Sequence, residues 1–161
     1  MSVKAEIVGI LERAKAEIQA NMDAKGINAS GRTKNSIRTV ETSGGFALMG
    51  GGRDTAPIPT LEIGREGGKV PAGFYNIIRQ WTYDKELSFD SERERNTFSY
   101  FLARKIAREG TARHRQNEDV YSTPVKVAVD DIRSVIRSWS GGLIKEVLRS
   151  NVNVTNINLN F

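Results

Sequence analysis

Residues 98–110 read FSYFLARKIAREG, the pattern of a helix with two different messages. Phe98, Phe101, Leu102 and Ile106 recur at the spacing of one helix face, which predicts that this face meets a core. Ser91 stands upstream as an N-cap, and Glu92 and Glu94 place carboxylates where the helix dipole favours them. Gly110 follows the last apolar turn and can take the left-handed conformation that ends a helix. Arg104, Lys105 and Arg108 lie near the same end. The helix is therefore apolar along one side and basic at its C-terminus.

Working upstream, Phe74 to Tyr83 is a short helix with Ile77, Ile78 and Trp81 apolar, so 74–110 reads as a helical hairpin. The long segment from Gly50 to about Ala72 holds Gly50-Gly51-Gly52, Gly64, Gly67, Gly68 and Pro57, Pro59, Pro71, which predicts an irregular loop that orders on assembly. Residues 28–52 read as a turn at Ser30-Gly31, a short helix and a hairpin. Ser36 to Glu41 reads as a strand or a passage from helix to strand and Phe46 to Met49 as a second strand, with turn chemistry at Thr42-Ser43-Gly44-Gly45 between them. Arg32, Lys34 and Arg38 make this part locally basic, as a solvated face or a partner-facing one. Residues 3–24 form a first helix striped by Val3, Ile7, Ile10, Leu11, Ala14, Ile18 and Met22, with Gly26 as its cap. That stripe fits packing on the domain itself or on a neighbouring subunit.

Downstream, Arg113, His114 and Arg115 extend the basic end, so residues 104–115 hold five Lys or Arg against one Glu. This is a solvated helix end or a patch facing a nucleic-acid phosphate backbone or an acidic partner. Thr123 as N-cap and Pro124 at N1 open another helix, with Val125, Ala128, Val129, Ile132, Val135, Ile136 and Trp139 on one face. Residues 125–129 also alternate as a strand would. Gly141-Gly142 is expected to break or kink the helix before 143–148 continues it. In the tail, Val152, Val154, Ile157, Leu159 and Phe161 alternate with asparagines, which predicts a strand, with a bulge at Thr155-Asn156. Such a strand completes its own sheet or joins the edge of a neighbour's, and these five residues are candidate intersubunit contacts.

The chain has 161 residues, enough for one domain with a core. The expected organisation is a single α+β domain over 1–150, with 151–161 as a C-terminal strand or arm. Its parts are a long N-terminal helix, a small antiparallel sheet with a hairpin, a helical hairpin insertion, a C-terminal helix and a terminal strand. Hydrophobic residues at 39% and charged residues at 27% rule against wholesale disorder. A net charge of +5 permits contact with nucleic acid or an acidic surface without demanding it. The absence of cysteine removes disulfides and thiolate metal sites. No apolar run approaches the ~20 residues of a membrane span, so no membrane partner is expected.

Catalytic chemistry is hard to assemble from these residues. The one histidine, His114, is flanked by arginines that repel a metal cation. No Gly-x-Ser-x-Gly turn presents a serine nucleophile. Glu118-Asp119 and Asp130-Asp131 are adjacent carboxylates, which on a helix do not face one another. The expectation is no catalytic residue, no metal, no cofactor and no enzymatic activity.

Three stretches together resemble the tail-completion or head–tail joining proteins of long-tailed bacteriophages. Ser30-Gly31-Arg32-Thr33-Lys34-Asn35-Ser36-Ile37-Arg38-Thr39-Val40 resembles that family's glycine-led opening after a long helix. Ala56-Pro57-Ile58-Pro59-Thr60-Leu61-Glu62-Ile63-Gly64 is similar to its Ala-Pro, apolar, Glu, apolar, Gly element. Tyr121-Ser122-Thr123-Pro124-Val125, through Ala128, is similar to the aromatic and proline that lead into its C-terminal helix, and Ala103 to Thr111 also looks like phage members of this type. The resemblance implies a virion protein of the neck, assembled in the host cytoplasm and copied around a symmetric ring between portal or connector and the tail tube or terminator. Closed rings use heterologous contacts, so two different faces of each copy must be adhesive. Arg104, Lys105, Arg108, Arg113, Arg115, Arg32, Lys34 and Arg38 would then face a partner or the DNA passing through the lumen. The alternative is a nucleic-acid-binding protein that uses the 104–115 cluster.

Overall fold

A computed structural model describes residues 2–51, 58–111 and 119–157. The fold is α+β: α1 (Val3–Ala24), α2 (Arg32–Ser36), β1 (Arg38–Thr42), β2 (Gly45–Met49), α3 (Ile58–Ile63), α4 (Phe74–Asp84), α5 (Glu92–Glu109) and α6 (Ser122–Ile157).

α1 buries Ile10, Leu11, Ala14, Ile18 and Met22, the stripe its periodicity predicts. Ser2 caps its start by accepting from the Ala5 N–H at 3.2 Å. Its end is a Schellman turn: Ile27 N–H donates to the Met22 carbonyl at 2.9 Å and Gly26 N–H to that of Asp23 at 3.0 Å. Gly26 supplies the positive φ of 59°, and Ile27 packs back beside Met22. One core cluster joins Ile18 and Met22 to Ile37, Leu61 and Val120. A second joins Ile10 and Ala14 to Ala128 of α6. Leu48 of β2 touches both, which anchors a two-stranded sheet too small to be stable alone. The strands pair antiparallel from Arg38–Met49 to Thr42–Gly45.

α1 and α6 run antiparallel. Asn21, at the end of α1, donates to the Val120 carbonyl at 3.0 Å, while Arg13 holds Asp131 at 3.4 Å further along α6. α4 and α5 form the expected helical hairpin. Ser91 caps α5 through the Glu94 N–H at 3.2 Å, and the Glu94 carboxylate reaches back to the Asp90 N–H at 2.9 Å. Arg95 sits between the two helices, its guanidinium 4.0 Å from the Tyr83 ring centre and 4.8 Å from that of Phe89. It also donates to the buried Thr82 hydroxyl at 3.1 Å. α4 ends with a second Schellman turn, in which Leu87 N–H donates to the Thr82 carbonyl at 3.0 Å. Here the left-handed position, φ 53°, is Glu86. A Cβ is disfavoured in that conformation by about 1–2 kcal/mol. Glu86→Gly is therefore expected to raise stability by up to about 1 kcal/mol once the entropy of glycine is offset, read as a higher urea midpoint at unchanged slope.

Five expectations need correction. The 50–72 segment is not all loop, because Ile58–Ile63 form α3. Pro59 sits in the first turn, where a proline costs no intrahelical bond, and Gly64 at φ 70° ends the helix. In α5 the inward residues are Ser99 and Ala103. These are small side chains spaced by four on one face, whereas Phe98 and Phe101 are exposed. α6 begins at Ser122, so Thr123 is not its N-cap, and the 125–129 segment is helix. Residues 151–157 continue α6 instead of forming a strand, and 158–161 lie outside the described residues. No proline follows Pro124, and each residue added to an established helix gains a hydrogen bond. Gly141 and Gly142 are carried inside the same helix.

Candidate functional site

The basic end of α5 is built by a backbone clamp. The loop from Gly64 to Gly68 lies against the last turn of the helix: Gly68 N–H donates to the Ala107 carbonyl at 2.6 Å and Thr111 N–H to that of Arg65 at 2.8 Å. Arg65 N–H returns a bond to the Thr111 hydroxyl at 2.9 Å. Two glycines permit the approach. A Cβ on Gly67 would stand 2.3 Å from the Arg108 carbonyl oxygen, and one on Gly110 would stand 2.3 Å from that of Arg65. The helix end, with its cations, is thus fixed to the body.

On the outer side of that end, Phe101, Arg104, Lys105, Ala107 and Arg108 line an open depression of about 630 Å³. Phe101 is 64% exposed. Arg104 donates to the Tyr100 hydroxyl at 3.1 Å, and Arg108 pairs with Glu109 at 2.5 Å. Among the described residues no carboxylate pairs with Arg104 or Lys105. Arg113, His114 and Arg115 lie outside the described residues. The other basic candidates are separate from this face. Arg32 ties α2 to α4 through Asp84 at 3.1 Å, Lys34 ties it to α1 through Asp23 at 2.5 Å, and Arg38 donates to the Ser36 carbonyl at 3.2 Å. The Lys34 ammonium, donating to Asp23, holds that carboxyl below its ordinary value.

A functional residue that sequence reasoning left without a role is Glu62, only 7% exposed. One of its oxygens accepts from the backbone N–H groups of Val120 at 3.1 Å, Tyr121 at 2.9 Å and Ser122 at 3.0 Å. The other accepts from the Ser122 hydroxyl. These donors open α6, so a carboxylate from α3 caps it across 60 residues of chain. Burial alone pushes the Glu62 carboxyl up; the Ser122 hydroxyl and the three backbone donors outweigh it, and the group lies below the ordinary 4.5. Asp119 adds a local cap, accepting from the Thr123 N–H at 3.1 Å. The only sequence signal was the resemblance element around Glu62, which marked the position without its partner.

The remaining carboxylate candidates are occupied or outside the described residues. Asp130 holds Arg133 at 3.1 Å and Asp131 holds Arg13 at 3.4 Å, while Glu118 is outside. No group of three His, Cys, Asp or Glu residues able to hold a metal ion occurs among the described residues. Among them, too, no helix is long and apolar enough to cross a membrane. Val152, Val154 and Ile157 fall within α6, and Leu159 and Phe161 are outside the described residues.

What stands out instead is apolar surface. α6 exposes Val125, Val127, Val129, Ile136, Trp139, Leu143 and Ile144, with Trp139 at 54%. No family model matches the chain, and neither does any curated protein or solved structure.

Proposed function

We propose that the protein is a structural subunit of the head–tail interface of a long-tailed bacteriophage, forming a symmetric ring that joins the connector to the tail. Its work is binding, with identical copies as first partners and portal or connector and tail-tube or terminator proteins above and below. The observation that carries this reading is the run of large apolar side chains on the outside of α6, which isolated soluble domains rarely leave contiguous. The resemblance supplies the setting. Its three stretches meet in space: Ile37, Leu61 and Val120 share a core cluster, with Tyr121 against it. Native mass spectrometry of the purified chain and imaging of virions test the proposal. Several copies per particle and a closed oligomer are expected; a strict monomer missing from particles defeats it.

A second reading rests on the α5 depression, where Arg104 and Lys105 have no carboxylate partner among the described residues. In it the protein binds nucleic acid, and affinity should fall steeply as salt rises. A chain that shifts no DNA at low salt removes this reading.

A further inference from the structure

Five of the seven exposed apolar residues of α6 fall on one line with the half-buried Ile132, while Val127 and Ile144 lie off it. Val125, Val129, Ile132, Ile136, Trp139 and Leu143 follow one another at intervals of four, three, four, three and four. That 3.5-residue period is the seam of a coiled coil, and it specifies another helix as the occupant. Ile132 lies partly against the α1 side, and the other five are exposed. In this register Val129, Ile136 and Leu143 take one set of seam positions and Val125, Ile132 and Trp139 the other. The stripe is continuous with a helix contact already made. Ala128 and Val135, on its near flank, belong to the cluster shared with α1. α1 has 22 residues, about 33 Å, and α6 has 36, about 54 Å, so α6 outruns the antiparallel α1 on which it packs.

We infer that this stripe is the copy-to-copy contact, packing against α6 of a second molecule with the two helices parallel. The inference rests on the ring reading and names the surface that closes it. Charge decides the direction. The far flank carries Lys126 and Arg133, and the near flank Ala128, Val135 and Gly142. An antiparallel pair sets far flank against far flank and opposes these cations, although Arg133 also holds its own Asp130. A parallel pair sets each far flank beside the neighbour's near flank, where Ala128 and Val135 are packed on that copy's own α1, and α6 presents no opposing cation. A parallel pair on its own is a two-fold contact, but parallel helices also repeat about one axis in a bundle of three or more, each stripe then meeting a different neighbour on either flank. An antiparallel pair closes only as a dimer.

The full chain carries the test, because it has no cysteine of its own. In sedimentation, wild type is expected to be oligomeric and Ile136→Asp monomeric with an unchanged far-ultraviolet spectrum. Trp139→Gln serves as the second exposed probe should Ile136→Asp fail to fold. Val129→Cys and Leu143→Cys, each alone, are expected to give covalent dimers with a short bis-maleimide. If the assembly survives both seam substitutions, the stripe is not the interface while the ring reading stands. A monomeric wild type overturns both. Cross-linking that appears only when the two cysteine variants are mixed overturns the parallel arrangement.

Discussion

Glu62→Ala is expected to lower stability by about 3–5 kcal/mol, the cost of leaving several buried neutral donors without an acceptor at about 1–3 kcal/mol for each one that water does not reach. The carboxylate satisfies three backbone N–H groups and one hydroxyl at the start of α6. Alanine leaves these donors without acceptors where Val120 is fully buried, and it opens a cavity beside Leu61. At about 2–4 °C per kcal/mol for a chain of this size, the melting temperature should fall by roughly 10 °C. Glu62→Gln keeps one acceptor oxygen but loses the charge and turns an amide donor toward other donors, so about half that loss is expected. The pH dependence follows from the downward shift of this group. Its contribution is complete above the unfolded value near 4.5 and is lost as pH falls through the lower folded value. Urea titrations at pH 7 and in acid should therefore show a shallower acid loss for Glu62→Gln than for wild type. A slope remains, because Asp23, Glu92 and Asp119 are shifted in the same direction. Equal acid slopes in the two proteins would show that Glu62 is not the cap.

The parts of this fold that could be read from sequence are the ones in which cause and consequence are neighbours. The α1 stripe, the Ser91 cap, the Gly26 end and the β1–β2 turn each depend on residues within a few positions of one another. Misreadings arise where a distant partner decides. The buried face of α5 is set by what packs on it from elsewhere in the chain, and it holds Ser99 and Ala103 while the larger Phe98 and Phe101 are exposed. α3 sits among prolines and glycines that locally favour loop, yet its Leu61 enters the main core. The alternation of the last eleven residues carries a strand period, but 151–157 are appended to a helix that is already formed. The site divides in the same way. The cations of α5 were visible as a run of sequence, while the ion pairs that occupy Arg32 and Lys34 were not.

Gly110→Ala should be comparably damaging for a different reason. Gly110 has φ 77° and ψ −170°, a region that only glycine occupies at ease. Forcing alanine there costs about 1–3 kcal/mol by conformation alone. The new methyl would also stand 2.3 Å from the Arg65 carbonyl oxygen and 2.9 Å from the Gly67 nitrogen, both backbone atoms with no rotamer to escape by. Either the α5 end or the 64–68 loop must then withdraw, breaking the Thr111-to-Arg65 and Gly68-to-Ala107 bonds at about 1 kcal/mol each. The combined loss is about 3–5 kcal/mol, concentrated at the clamp. Gly67→Ala meets the Arg108 carbonyl at the same 2.3 Å but carries no positive φ, so its loss should be smaller. Because both substitutions separate the same two segments, the double variant should lose less than the sum of the singles. Hydrogen exchange locates the effect. Protection of the Gly68 and Thr111 amides should collapse in Gly110→Ala, while the α1 amides, which exchange with the core, keep theirs until global unfolding. Protection retained at Thr111 would mean that the loop and the helix end do not depend on this glycine.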